Sequence, residues 1–291
     1  MSISAEGGIV KEINNELTLV EFEAISDLIY RKAGIKFEAK KIYFLSKRIE
    51  KRVDALKLKS VSEYIRYLRF LDQQGKEFQA LINLITVNET YFFRDFPQLQ
   101  GFAEYCLTDV IEKKVSSGDN RLKIWCSGCS TGEEAYTISI ILHEILDDVK
   151  KWDIQIIASD IDQNVLKSAQ QGIYGMRSVK DVPPEYFKNY FRNYKNGDFS
   201  VIDSIKSIVR FDHLNLSDSY ALKSKRNFDF IFCRNVLIYF DDLSRKKIVD
   251  HFYIALNKGG YVFLGSSESL GRISTAFNLK RLGTHLVYCK E

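Results

Sequence analysis

The sequence predicts an α/β protein built on a mostly parallel sheet that closes in an antiparallel C-terminal hairpin. A small all-α domain precedes the sheet and a small β-subdomain is inserted into it. Three observations predict this. From about Leu122 onward, short β-rich runs alternate with helix-length apolar patterns, as in a sheet flanked by helices. Ahead of that point, up to about Ile85, the apolar residues recur at helical spacing only. The last two β-prone runs, Phe277–Leu282 and His285–Cys289, flank Gly283-Thr284 in the manner of a hairpin.

Taken in order, residues 1–17 read as a lead-in and 18–86 as the helical domain. Thr18 is the expected N-cap of a helix running to about Lys32, with Glu21 completing a capping box and Gly34 ending the helix. Ile42, Leu45, Ile49, Val53 and Leu56 mark the inner stripe of a second helix, Ala39 to Leu56. Lys41, Arg48 and Arg52, flanked by Lys47 and Lys51, fall off that stripe and are expected to face outward. Two further helices are expected at Ser62–Leu71 and Glu77–Ile85. Residues 87–120 form a linker and helix, and 121–291 form the sheet domain. Its strands are predicted at 122–126, 154–159, 228–233 and 260–265. Helices are expected between the first two strands, after Asp162, and from Leu243 to about Ala255. Between Gly172 and Arg210 the alternation fails; a helix-like piece (Pro184 to Arg192) and the turn Asn196-Gly197 suggest the inserted subdomain, about 172–210.

Composition narrows the function classes. No run approaches the ~20 apolar residues of a membrane span, and MSISAEGGIVKEI lacks a signal-peptide core, so a soluble cytoplasmic protein without membrane insertion is expected. Five cysteines without framework spacing suit a reducing compartment. A net charge of +4 is too small to imply nucleic acid. Between Lys36 and Lys59, however, nine Lys or Arg stand against three acids, a local basic patch suited to an acidic partner.

The most informative stretch is Arg121 to Ala169. A β-run ending at Cys126 breaks into Ser127-Gly128-Cys129-Ser130-Thr131-Gly132, a helix follows, and a second β-run ends at Asp160. Glycines let the backbone approach a ligand, and an acid at the second strand's end accepts ribose hydroxyls. Neither GxGxxG nor GK[ST] is present, so cradles for pyrophosphate or triphosphate are not signalled. A nucleoside cofactor without a phosphate chain fits better, and S-adenosylmethionine is the common one. An alternating sheet that finishes in a hairpin resembles the Rossmann-like sheet of class I methyltransferases more than NAD-binding domains. The four histidines are scattered and no zinc pattern occurs, so no metal is expected. Cys126 and Cys129 form a CxxC that straddles the glycine loop without a second pair, which reads as small residues in a tight turn.

Four motifs in order carry a family resemblance: NETYFFR (88–94), CSGCSTGEE (126–134), ASDID (158–162) and CRNVLIYF (233–240). Together they resemble the CheR family of chemotaxis-receptor glutamate methyltransferases, and the likeness covers nearly the whole chain. The resemblance implies an α-helical N-terminal domain, a Rossmann-like catalytic domain and a small β-subdomain insert. It implies methyl transfer from S-adenosylmethionine, leaving S-adenosylhomocysteine, to glutamate side chains on methyl-accepting chemotaxis receptors. A carboxyl methyltransferase for another substrate, or a non-catalytic S-adenosylmethionine-binding scaffold, remain the other readings.

The same resemblance implies the residue roles. Arg94, Arg234 and Tyr239 are the expected catalytic set, with Arg94 and Arg234 also near the cofactor. Asn88, Thr90, Glu134, Asp160, Asn215, Leu216 and Cys233 are the remaining expected cofactor contacts. Glu134 would meet the ammonium of the methionine portion, and Asn215 with Leu216 would flank the adenine. Asp160 has a second reading as a helix N-cap, while Glu133, beside Glu134, reads as a first-turn residue favoured by the helix dipole. Lys47, Arg48, Lys51 and Arg52 match the receptor-docking helix.

Overall fold

A computed structural model describes residues 17–271, 273–282 and 285–291; the lead-in 1–16 and the expected hairpin turn Gly283-Thr284 lie outside the described residues. The chain divides into two compact units, Met1–Leu28 with Phe37–Ile85, and Ile29–Lys36 with Thr86–Glu291. Leu17, assigned above to the lead-in, is buried.

The first unit is helical. The Thr18 capping box forms reciprocally: Thr18 N donates to Glu21 Oε2 at 3.1 Å, and Glu21 N donates to Thr18 Oγ1 at 3.3 Å. The helix they begin spans Leu19–Ala33. A 3₁₀ turn at Ala39–Lys41 leads into Ile42–Ala55; Val61–Arg66 follows, continues as a π turn Tyr67–Leu71, and precedes Lys76–Ile85. Leu45, Ile49 and Val53 bury the predicted stripe beside Ile25, Tyr64, Leu81 and Ile82.

Two expected outward residues turn inward. Arg52 forks onto Glu77, with Nε 2.8 Å from Oε1 and Nη2 2.7 Å from Oε2, while Tyr64 donates its hydroxyl to the same carboxylate. Glu77 is buried, and a buried carboxylate needs a paired, hydrogen-bonded cation. Arg48 donates to the Leu84 and Phe44 carbonyls and lies 3.5 Å above the Phe44 ring. Helical periodicity gives the direction of Cβ, but long guanidinium side chains reach round the helix to the nearest acceptor. Lys47 and Lys51 remain exposed.

Residues Ile29–Lys36, expected in the helical domain, belong to the second unit. Asn215 Nδ2 donates to Lys32 O, Ser217 Oγ donates to Ala33 O, and Ile35 bridges Phe240. Gly34 closes the helix at φ +70°, where a Cβ would sit 2.0 Å from Ser217 Oγ.

The second unit holds ten strands among the described residues: β1 Arg121–Ser127, β2 Asp153–Asp160, β3 Ile173–Tyr174, β4 Phe191–Asn193, β5 Phe199–Val201, β6 Val209–His213, β7 Phe228–Cys233, β8 Leu256–Leu264, β9 Asn278–Leu282 and β10 His285–Cys289. The main sheet runs β6-β2-β1-β7-β8-β10-β9. β6, β2, β1, β7 and β8 are parallel, and β10 pairs antiparallel with both β8 and β9, giving the expected hairpin edge. β7 is buried along its whole length, which is why FDFIFC reads as an almost unbroken apolar run. Alternation splits the core. Leu122, Ile124, Cys126, Phe230 and Phe232 join Phe102 in one cluster, and Trp125, Ile231 and Cys233 join Phe252 in the other.

The inserted sheet is β3-β5-β4, antiparallel throughout. The boundary at 210 needs correction, because Val209 and Arg210 already pair with Ile156 and Ile157 in the main sheet. β6 was hidden because its residues are only partly buried and include Arg210 and Asp212, so its apolar signal is weak. From β1 the chain steps out to β2 and β6, then returns past β1 to β7. The reversal makes the carboxyl ends of β1 and β7 the switch point of the sheet, where open α/β sheets bind ligands.

Candidate active site

β1 ends at Ser127 and the glycine loop begins. Gly128 has φ +79°, and a Cβ there would lie 2.3 Å from Val236 Cγ2; at Gly132, φ +93°, it would lie 2.9 Å from the Ala169 Cβ. Gly128 N and Cys129 N both donate to Ser159 O, at 2.7 and 2.9 Å. Ser130, itself left-handed at φ +49°, aims its N–H at Asp160 Oδ2, 2.8 Å away. Asp160 Oδ1 accepts from Asp162 N at 2.9 Å. Burial pushes the Asp160 carboxyl above its ordinary 3.8, against the pull of the Asp162 and Ser130 N–H donors.

Asp160 is not the helix cap. That role belongs to Asp162, whose Oδ1 accepts from Asn164 N at 2.8 Å at the start of Gln163–Gln171. Its Oδ2 accepts from Thr86 Oγ1 at 2.8 Å and Asn88 Nδ2 at 2.9 Å. Sequence reasoning passed over Asp162, although an acid immediately before a helix is a capping signal. Asn88 therefore fastens the start of NETYFFR to the end of β2, and its carbonyl accepts from Ser130 Oγ at 3.2 Å. Thr90 follows, half-buried.

Arg94 sits between two residues in the left-handed region, Phe93 at φ +58° and Asp95 at φ +57°. Neither is glycine, so this turn stores strain of the kind concentrated at functional sites. Phe93 N is held by Thr137 Oγ1 at 3.2 Å. The Arg94 guanidinium donates to Glu89 O at 2.8 Å and lies 5.8 Å from the Tyr91 ring centre. Its charge also bears on Glu134 and Tyr239, favouring the anionic form of each.

Arg234, expected in the catalytic set, bonds protein groups through both terminal nitrogens. It is buried, with Nη1 3.0 Å from Glu134 Oε2 and Nη2 2.9 Å from Asp95 Oδ2 and 2.7 Å from Arg94 O. Its fork is spent on the protein, clamping the Arg94 turn to the first turn of Glu133–Ile145. Burial raises the Glu134 carboxyl above its ordinary 4.5, and Arg234 opposes that shift. Tyr239 is half-buried on a short 3₁₀ turn, its phenol pushed up by burial, lowered by Arg94 and raised again by Glu268.

The remaining expected residues are engaged with the rest of the protein. Cys233 is wholly buried and burial drives its thiol far up, so it is a core residue at the strand's end. Asn215 spends its amide on Lys32 O at 2.6 Å and Ser217 N at 2.9 Å; Leu216 beside it is buried. Glu133 stands in the first turn of its helix, as expected, and is buried there, accepting from Thr131 Oγ1 at 2.6 Å and Ser178 Oγ at 3.0 Å. Cys126 and Cys129 are buried free thiols pushed well up by desolvation, consistent with packing in a tight turn. Glu268, which sequence reasoning missed, accepts four backbone N–H groups around the CRNVLIYF loop.

This edge has the chemistry of a nucleoside-cofactor site. Among the described residues, five buried side-chain polar atoms lack a hydrogen-bond partner, and four belong here: Gln98 Oε1, Ser127 Oγ, Arg234 Nε and Asn235 Oδ1. Ser127 Oγ has the weakly bonding Cys233 thiol as a neighbour. Gln98 is anchored through Nε2 to Leu264 O at the end of β8, and the other three stand at the ends of β1 and β7. Buried polar groups without partners mark places where a ligand or ordered solvent completes the bonding. The residues present therefore fit S-adenosylmethionine. Among the described residues, no cluster of three or more His, Cys, Asp or Glu is placed to hold a metal ion.

Comparison with known proteins agrees. A family described as CheR methyltransferase, SAM binding domain, matches residues 88–285, and a second, CheR methyltransferase, all-alpha domain, matches residues 20–86. The chain is 43% identical to chemotaxis protein methyltransferase 2 of Vibrio cholerae serotype O1, covering 94% of each. It is 33% identical to the chemotaxis protein methyltransferase of Borreliella burgdorferi, over 89% of this chain and 91% of the relative. It is 32% identical to chemotaxis protein methyltransferase 1 of Pseudomonas aeruginosa, over 92% of this chain and 97% of the relative. The chain belongs to the CheR methyltransferase family.

Proposed function

We propose that this member of the CheR methyltransferase family methylates glutamate side chains on the cytoplasmic helices of chemotaxis receptors, leaving γ-methyl esters. The observation that carries the reading is Arg94, presented on a strained turn at the sheet's switch point with its charge bearing on Glu134 and Tyr239. S-adenosylmethionine, when bound, supplies a methyl carbon made electrophilic by its sulfonium. Asp160 would hold the ribose hydroxyls and Glu134 the ammonium, with Asn88, Thr90, Asn215 and Leu216 contributing to the surrounding wall and Cys233 packed in the core behind it.

The chain's own residues have a limited task. A glutamate acceptor, with an unperturbed pKa of about 4.3, is already ionised at neutral pH, so no base has to remove a proton. The Arg94 fork receives that carboxylate and fixes its direction of approach. The Tyr239 phenol, pushed above its ordinary value by burial, keeps its proton and donates to the acceptor or lines its path. Arg234 acts one step back, holding Glu134 and the Arg94 turn in place. The exposed Lys47 and Lys51 are the docking cations for an acidic receptor surface, and Arg48 and Arg52 brace the helix that carries them. Among the described residues no helix is long and apolar enough to cross a membrane.

Incubation with methyl-labelled cofactor and receptor cytoplasmic fragments tests the reading. Label released as methanol by mild base is the expected result. Label that survives base, or none transferred, overturns carboxyl methylation of receptors.

A further inference from the structure

We propose that Glu268 is a positioning residue that sets the place of Tyr239 at the reacting centre. It lies outside the four motifs, in a turn after β8. One carboxylate there accepts four backbone N–H groups: Asn235 at 2.7 Å, Val236 at 2.9 Å, Ile238 at 3.3 Å and Gly265 at 2.7 Å. Three of the four donors belong to the five residues that end in Tyr239. Side chains with this many main-chain acceptor bonds do the work that a regular element would otherwise do for a loop.

Ahead of the short 3₁₀ turn Leu237–Tyr239, the loop at Asn235 and Val236 lies outside any helix or strand. Asn235 is left-handed at φ +60°, a conformation that local bonds must maintain. Gly265 is where a side chain cannot stand, because a Cβ would meet Glu268 Oε2 at 2.8 Å and Asn235 N at 2.9 Å. Val236, held by Glu268, packs where Gly128 leaves room, so the same carboxylate registers the loop against the glycine turn. Tyr239 N then closes on Val236 O at 3.2 Å, passing that register to the phenol. A carboxylate suits four converging donors because both of its oxygens only accept. An amide of the same shape would turn an NH₂ toward two of them.

The role of Tyr239 rests on the methyl-transfer reading above, so the test carries one arm that needs no reaction. In protein labelled with 3-fluorotyrosine, the ¹⁹F resonance that disappears in Tyr239→Phe identifies Tyr239. In Glu268→Gln that resonance should move or broaden while those of tyrosines in the helical unit stay fixed. In single-turnover assays, Glu268→Gln should slow transfer by about 10- to 100-fold, with S-adenosylhomocysteine affinity changed less than about threefold. In a Tyr239→Phe background the same substitution should cost much less, since the two act through one group. An unmoved Tyr239 resonance, or a rate loss equal in both backgrounds, overturns the proposal. Should the wild type transfer no methyl group, the functional reading fails and the fluorine spectra alone decide the position of Tyr239.

Discussion

The two edges of the same parallel sheet make opposite uses of charge. At the amino edge, the starts of β1, β2, β7 and β8 surround a hollow of about 440 Å³ lined by Lys114, Asp119, Lys123, Asp153, Asp229 and Asn257, among others. Its buried charges are paired within the protein. Lys114 bridges Asp119 and Asp229, both at 3.1 Å, and Asp229 also accepts from Lys123 N and Asn257 Nδ2. At the carboxyl edge, four buried polar atoms lack partners, and Phe93, Asp95, Ser130 and Asn235 hold left-handed backbone. A hollow whose charges are already paired does not by itself mark a ligand site. Unmet bonding and local strain single out the carboxyl edge, where an open α/β sheet places its ligand.

Substitutions can break or sharpen that contrast. Arg94→Ala should reduce turnover most, by about 100- to 1,000-fold, because a donor to the acceptor carboxylate is lost. Cofactor affinity, by calorimetry, and melting temperature should change little. Arg234→Met should behave differently at the same edge. Leaving Glu134 and Asp95 without their cation destabilises by about 3 kcal/mol, so melting temperature, turnover and cofactor affinity should fall together. A turnover loss with unchanged stability would restore Arg234 to the acceptor side.

Acidity offers a milder test. The proposed contacts require Glu134 and Asp160 ionised, and burial raises both above their ordinary values of 4.5 and 3.8. A raised carboxyl takes up its proton earlier as pH falls. S-adenosylhomocysteine affinity should therefore weaken on acidification from a pH above those values and recover as pH rises. An affinity flat until the ordinary carboxyl range would remove these two acids from the contact set. At the amino edge, Asp229→Ala should lower stability by about 2–3 kcal/mol through its stranded donors, yet leave kcat and cofactor affinity unaltered.

The contrast also explains what the sequence could and could not disclose. Strand and helix periods placed β1, β2, β7 and the C-terminal hairpin closely, because each buries a continuous or alternating apolar set. β6, thinly buried at the sheet's edge, left no such trace. Motifs brought Asn88, Arg94, Glu134, Asp160, Arg234 and Tyr239 to notice, and the fold gathers them at or beside one edge. Which guanidinium faces a substrate and which braces the protein was not legible, since Arg94 and Arg234 differ only in the acceptors around them. Asp95, Asp162 and Glu268 were missed for a related reason: their partners are distant in sequence or are main-chain groups. Arg52 was misplaced because Glu77, its counter-charge, lies on another helix.

The most direct measurement is a crystal structure of the protein with S-adenosylhomocysteine. The ribose is expected at Asp160, the ammonium at Glu134, and the sulfur on the side of the Arg94 guanidinium. Product bound in the amino-edge hollow, or Arg94 turned away from the sulfur, would contradict it.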